Sequence, residues 1–285
     1  MRRVPFTQVD VFTEHPFQGN PVAVVFEGDD LTDGQMQRIA AWTNLSETTF
    51  VCRPTVDTAD YRLRIFTPRS ELPFAGHPTI GSAWAILERG LTPRVARRLT
   101  QECAKGLVQL RVDDNRLLLA LPEPIVVVPQ AESVDAVALA LGLEPNEIRH
   151  AAIVDVGAVW FTVQLQSADH VIALTPDMAR LATLGPRQTG VCVFGLRPAT
   201  DAPRLEVRAF APAIGIPEDP VCGSGNGCVA ALIRRHELLD VQAYVASQGR
   251  MVGRDGRVHV EYAADGTIWL GGHAVTCIDG RMSLP

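Results

Sequence analysis

The chain has 285 residues, 47% of them hydrophobic and 20% charged, which is enough for two domains with substantial cores and excludes a disordered chain. The formal net charge is −6 with the charges dispersed, and no basic stripe marks a nucleic-acid-binding face. The sequence enters an apolar strand pattern at once, with no signal-peptide block and no run of about 20 apolar residues. A soluble cytoplasmic protein without membrane contact is therefore expected.

In chain order, Val4–Phe12 and Val22–Phe26 read as strands joined by the turn-rich H-P-F-Q-G-N-P. Thr32 and Gln35 have the spacing of a capping box, ahead of Met36, Ile39, Ala40 and Thr43, so a helix is predicted over 32–43. Ser46–Val51 and Tyr61–Phe66 read as strands. Pro78–Glu88 reads as a helix with proline in its first turn, where a missing N–H costs nothing. Leu107–Val112 and Arg116–Leu121 form a hairpin around Asp113-Asp114-Asn115. After P-E-P at 122–124 the plan recurs: a helix near 134–141, strands near 151–156, 159–165, 170–173 and 190–195, and a short helix near 177–184. Strand Leu205–Phe210, a helix from about Gly225 to Arg235, and strands near 243–248, 257–262 and 267–271 complete it. The helices at 79–87 and 225–235 are apolar on most faces, as buried helices are. The expected class is α+β: two pseudo-symmetric halves, 1–122 and 123–285, each a mostly antiparallel barrel around a central helix, with C-terminal strands free to exchange into the first.

That symmetry is written in the sequence. R-I-F-T-P at Arg64–Pro68 leads to Glu71-Leu72-Pro73-Phe74-Ala75-Gly76-His77 and an apolar run. R-A-F-A-P at Arg208–Pro212 leads to Glu218-Asp219-Pro220-Val221-Cys222-Gly223-Ser224 and another. One recurrence at about half the chain length means related halves, since a solenoid repeats every ~20–50 residues. Each copy runs from a strand through a glycine turn into a helix, the way anion sites are built from helix N-terminal amides. Two such turns predict a cleft between the halves that grips one small carboxylate.

Several chemistries are disfavoured. The six cysteines make no C-x-x-C pair, and no histidines or cysteines have zinc spacing. Lys105 is the only lysine and lies in an ordinary turn, which leaves pyridoxal phosphate without a Schiff-base partner. Neither a G-x-G-x-x-G fingerprint nor a phosphate-binding lysine loop is present. No cofactor and no metal are expected.

Four side chains are candidates for catalysis, and Cys222 is a candidate for substrate binding with Gly76 and Gly223. Glu47, among hydroxyl residues in N-L-S-E-T-T-F-V, is placed to act as a general base or, equally, to be a solvated edge acid. His77 opens the first apolar helix, where the dipole lowers its pKa; it is a proton-transfer group or simply a cap. Ser224 stands at the same position in the second copy, as the cap of that helix. Asp219 replaces Leu72, an acid in one copy only, although Asp-Pro also starts turns. Cys222, where the first copy has Ala75, precedes a helix N-terminus, a position that depresses a thiol's pKa. Gly76 and Gly223 supply the turns.

Together, V-D-V-F-T-E-H-P-F-Q-G-N-P-V-A-V-V (Val9–Val25), N-L-S-E-T-T-F-V, R-I-F-T-P…E-L-P-F-A-G-H-P-T-I-G, E-D-P-V-C-G-S-G and S-Q-G-R-M-V-G-R (Ser247–Arg254) resemble the phenazine-biosynthesis PhzF-like isomerase family. The blocks run in order over nearly the whole chain. The resemblance implies the diaminopimelate epimerase-like fold, with the active site between its halves, and often a homodimer. It implies Glu47 as catalytic acid/base, and His77, Asp219 and Ser224 as substrate-binding and proton-relay residues. It also implies the Gly76 and Gly223 amides as carboxylate holders. The activity implied is a cofactor-free isomerisation in which one glutamate moves a proton along a conjugated system. Cys222 departs from the family, which commonly has Thr or Ala there, and V-C-G-S-G resembles the second cysteine motif of diaminopimelate epimerase, whose first motif is missing here. Two other functions stay open: a two-base epimerase or racemase using Glu47 and Cys222, and a metabolite-binding protein without turnover.

Overall fold

The computed structural model describes residues 2–185 and 188–284. By its internal contacts the chain divides into two compact units: residues up to Ala120 together with those from Gly271 onward, and Leu121–Leu270. The sequence placed the division between 122 and 123 and allowed late strands to return to the first half.

The first unit begins with β1 (Arg2–Val11), β2 (Asn20–Val25), α1 (Asp33–Thr43), β3 (Thr48–Cys52), β4 (Tyr61–Phe66) and β5 (Glu71–Leu72). It continues through α2 (Gly76–Glu88), β6 (Arg98–Cys103), β7 (Gly106–Asp113) and β8 (Arg116–Ala120). The second holds β9 (Ile125–Val127), α3 (Ala131–Leu141), β10 (His150–Asp155), β11 (Val159–Gln164), α4 (Ala168–Ala173) and α5 (Met178–Leu181). After these come β12 (Gly190–Leu196), β13 (Leu205–Ala211), β14 (Ile216–Asp219), α6 (Gly223–Arg235), β15 (Ala243–Gln248) and β16 (Gly256–Tyr262). Last are β17 (Ile268–Gly272) and β18 (Ala274–Leu284).

Strand order is the same in both units. In the first, β18 pairs with β1, β1 with β2 and β3 with β4, all antiparallel, while β2–β3 and β4–β6 are parallel. In the second, β9–β10–β11 and β12–β13 are antiparallel, while β11–β12 and β13–β15 are parallel. The two parallel steps recur at the same places, which makes each unit a mixed, mostly antiparallel sheet. The sheet wraps an inner helix: α2 packs against β1, β2, β3, β8 and β18, and α6 against β10, β11, β12 and β16. Residues His77–Ala83 of α2 and Gly225–Ile233 of α6 are buried throughout, so a helix apolar on every face is the sequence's response to that enclosure. A second helix covers the outer face in each unit. Met36 and Ala40 of α1 pack on Val4, Val25, Phe50 and Phe66, and Val137, Ala140 and Leu141 of α3 on Phe161, Val163, Val193 and Phe210. Thr32 and Gln35 close the capping box expected of α1.

One expected strand is absent. Residues 170–173 lie in α4, because the Ser167 side chain accepts the His170 amide and caps a helical turn, and a short apolar run carries no periodicity to distinguish the two states. β5, β6, β9, β14 and β18 were not anticipated. β18 has exposed residues through Asp279–Arg281, which masks the strand pattern.

The repeated arginine and glutamate have a shared structural role. Arg64 forks onto Glu71 through Nε and Nη2 at 2.7 Å each, and Arg208 forks onto Glu218 through the same atoms at 2.9 Å. Each guanidinium also lies over the phenylalanine two residues on, 5.2 Å from the Phe66 centroid and 4.9 Å from that of Phe210. The fork ties a central strand to the short strand that leads into the inner helix. Its burial differs: the side chains are 23% and 36% exposed for Arg64 and Glu71, but 6% and 9% for Arg208 and Glu218. Arg208 also donates to the carbonyls of Val171 and Leu174. Arg64→Met should therefore cost at most about 1 kcal/mol, as exposed pairs do. Arg208→Met should cost about 3–5 kcal/mol by stranding a buried carboxylate. Chemical denaturation of the two variants checks the contrast; equal losses would contradict it.

Candidate active site

The repeat places four positions of known register side by side. Phe66 pairs across the sheet with Thr48, and Phe210 with Val191, so Glu47 corresponds to Gly190. A Cβ at Gly190 would overlap the Phe210 carbonyl, so the second copy has no room for an acid there. Ile65 pairs with Leu72, and Ala209 with Asp219, so Leu72 corresponds to Asp219, as the sequence alignment held. Ala75 and Cys222 are the N-caps of α2 and α6, and His77 and Ser224 are the second residues of those helices.

In the first unit, Glu47 sits just before β3, and its carbonyl accepts the Ala23 amide. Neighbouring hydroxyls are engaged elsewhere: Thr48 with Thr43 at 2.6 Å, and Thr49 with the Ala23 carbonyl and Ser82. Glu47 Oε2 lies 3.4 Å from His77 Nε2, with the side chains 13% and 9% exposed. Burial lowers the His77 pKa to about 3, against a hydrogen bond to the Pro21 backbone that raises it. The direction is the one expected of a helix N-terminus, but the cause is desolvation. Nε2 makes no hydrogen bond of its own, which leaves Nδ1 for Pro21. The ring is thus neutral at pH 7, with Nε2 facing the glutamate at a distance without hydrogen-bond alignment.

His77 is not a cap. Ala75 occupies the N-cap without a side-chain bond, and the Gly76 and His77 amides head a helix whose third residue is proline.

In the second unit, the cap is Cys222 and not Ser224: its Sγ accepts the Gly225 amide at 3.2 Å. Ser224 Oγ instead accepts the Trp160 indole N–H at 2.9 Å and lies 3.6 Å from Cys222 Sγ. Burial, together with the neighbouring Asp219 charge, holds the Cys222 thiol well above its ordinary pKa. The expected depression is overturned, because enclosure outweighs the helix amides. Asp219 accepts the Val221 amide through Oδ1 at 3.1 Å. Burial raises its pKa to about 6, aided by Glu218 and opposed by hydrogen bonds from Cys222 and Val221.

Sequence reasoning missed the residue that holds this loop. Gln248, 2% exposed, accepts the Cys222 amide at 3.0 Å and Asn226 Nδ2 at 2.8 Å, and donates to the Asp219 carbonyl at 2.9 Å. Its only signal was its place in S-Q-G-R. Gly249 beside it adopts φ 102° with the Pro220 carbonyl against its α-carbon, so neither a side chain nor an ordinary backbone fits. Trp160, also missed, showed only as a strand aromatic. Among the described residues no group of three or more His, Cys, Asp and Glu side chains is placed to hold a metal, and no helix is long and apolar enough to cross a membrane.

Each unit is a mixed sheet around a buried helix, with a Glu–His pair near the start of α2 and an Asp–Cys–Ser group at the start of α6. The sequence pattern of the family described as phenazine biosynthesis-like protein matches residues 9–280, and the chain belongs to that family. It is 40% identical to antisense-enhancing sequence 1 of Schizosaccharomyces pombe, over 97% of each chain. It is 33% identical to trans-2,3-dihydro-3-hydroxyanthranilate isomerase of Pseudomonas aeruginosa, over 98% of this chain and 99% of that one. The crystal structure of a Bacillus anthracis PhzF-family protein superimposes with a TM-score of 0.86 at 26% identity, covering all of both chains. The protein is an enzyme of the isomerase class.

The two shifted groups pull stability in opposite directions. His77 has a folded pKa below its unfolded value near 6.5, so its contribution is complete above pH 6.5 and is lost as pH falls toward 3. Asp219 has a folded pKa above its ordinary 3.8, so its contribution is complete below 3.8 and is lost as pH rises through 6. Asp219→Asn, which stays neutral, should gain thermal stability relative to the parent at pH 7 and not at pH 4. Melting curves from pH 4 to 8 check this; a constant offset would refute the burial of an ionised Asp219.

Proposed function

We propose that the protein is a cofactor-independent isomerase of a small, carboxylate-bearing, conjugated metabolite, and that Glu47 is the group that moves the proton. The observation that carries this reading is the approach of Glu47 Oε2 to Nε2 of a neutral His77 at 3.4 Å, with both side chains largely buried. A carboxylate that takes a proton from carbon needs a neighbour able to share it. An imidazole that resists becoming a cation shares the proton without trapping it, which suits return of the proton to a second carbon. The Gly76–His77 and Gly223–Ser224 amides are the substrate carboxylate's ligands in this reading, since the α6 cap takes only the Gly225 amide and α2 has no side-chain cap. Hydrogen-bond donors aimed at the carboxylate stabilise the negative charge that develops when the adjacent C–H is broken.

The substrate class follows from the Pseudomonas aeruginosa relative, named for trans-2,3-dihydro-3-hydroxyanthranilate, a cyclic carboxylate in which a proton shift moves a double bond. The two-base epimerase reading is disfavoured by the Cys222 thiol, which burial keeps protonated, and by Ala75 at the equivalent cap. A homodimer is part of the proposal, and sedimentation of the full chain tests it.

With the dihydro-hydroxyanthranilate as substrate, Glu47→Gln should lower kcat by about 10²–10⁴-fold, the range of general acid–base contributions. In deuterium oxide the parent should deliver one solvent deuterium to a carbon other than the one deprotonated. Retention of activity within a few-fold in Glu47→Gln would remove Glu47 from the mechanism. Inversion at a single carbon would replace the isomerase reading with the epimerase one.

A further inference from the structure

The Ser224 hydroxyl has one oxygen and one hydrogen, and its oxygen is already engaged. Trp160, 2% exposed in β11, points its Nε1–H at Ser224 Oγ from 2.9 Å. An indole nitrogen can only donate, so this contact fixes Ser224 as acceptor toward the core. The remaining Ser224 hydrogen must be donated elsewhere. Within the protein its neighbour is Cys222 Sγ at 3.6 Å, a weak acceptor that already receives the Gly225 amide at 3.2 Å. Nothing in that geometry holds the hydrogen strongly, whereas a carboxylate at the head of α6 would.

The equivalent place in the first unit shows that the device is specific to the second. Ala23 pairs with Thr48 and Phe161 with Val191, so Trp160 corresponds to Val22, which has no donor. The residue at the head of α2 is His77, which is held from the Pro21 backbone instead.

We propose that Trp160 is a positioning residue: its indole N–H holds the Ser224 oxygen as an acceptor and thereby commits the Ser224 hydroxyl hydrogen to the substrate carboxylate. This rests on the carboxylate reading above. Trp160 touches no substrate in this role; it acts only through Ser224, and that makes a double-mutant cycle decisive.

The cycle uses Trp160→Phe, Ser224→Ala and the double variant. The readouts are KM and kcat with trans-2,3-dihydro-3-hydroxyanthranilate and the Kd of anthranilate by calorimetry. One hydrogen bond's worth of orientation, about 1 kcal/mol, corresponds to a roughly 5–10-fold rise in KM and Kd for Trp160→Phe, with kcat changed less than about twofold. In the Ser224→Ala background the same substitution should change Kd by less than about twofold. An equal rise in both backgrounds overturns the proposal, as does a loss of melting temperature with unchanged Kd, which is what a purely structural tryptophan gives. Should Trp160→Phe fail to fold, benzothienylalanine at 160 keeps the shape and removes the N–H, with the same outcomes expected. The Trp160 indole N–H resonance separates the two levels of failure. If it does not move in Ser224→Ala, the contact is absent and the proposal falls while the carboxylate reading stands. If it moves but the parent neither turns over the substrate nor binds anthranilate, the carboxylate reading fails and takes the proposal with it.

Discussion

A helix enclosed on its sides by strands can meet anything other than its own core only at its ends. That constraint organises both units. α2 and α6 are buried along most of their length, so their first amides are the polar groups that the enclosure cannot satisfy from within. The caps do the minimum: none from a side chain in α2, and one thiol bond in α6. Donors left over at a helix head are the elementary material of an anion site. The Arg–Glu forks, the short strands that they tie down and the glycine turns all serve to deliver the chain to that point at the correct angle.

The chain holds two copies of this delivery system, and the proposed chemistry draws on the positions where the copies differ. The forks and the aromatic rings under them are shared. Glu47 corresponds to Gly190, Leu72 to Asp219, Ala75 to Cys222, and His77 to Ser224. Each exchange replaces one polar or titratable side chain by a different group. Gly190 is the extreme case, since its backbone approaches Phe210 too closely for any side chain. The second copy therefore cannot acquire the first copy's acid without moving a strand.

Much of this was legible in the sequence. The doubled R-x-F…E…G pattern announced two halves and located both helix heads, and the apolar runs after them identified the enclosed helices. What was not legible depended on burial. Position alone placed Cys222 in a thiolate-favouring site and Ser224 at a cap, because a helix start can be read from sequence and a desolvation cannot. The short run at 170–173 was ambiguous for a simpler reason, its brevity. Gln248 and Trp160 were hidden because both act through hydrogen bonds to residues 22 or more positions away along the chain, a relation with no local signature.

The pairing of β1 with β18 joins Arg2 to Leu284 and Val11 to Ala274, the longest ladder in the fold. During synthesis β1 leaves the ribosome early and waits for a partner made some 270 residues later. Translation at roughly 5–20 residues per second leaves that edge open for many seconds. The second unit, continuous from Leu121 to Leu270, can finish in the meantime. The unit that carries Glu47 thus cannot close until the second unit has been made. An exposed β1 edge is the segment of the nascent chain most in need of protection from pairing with the wrong strand.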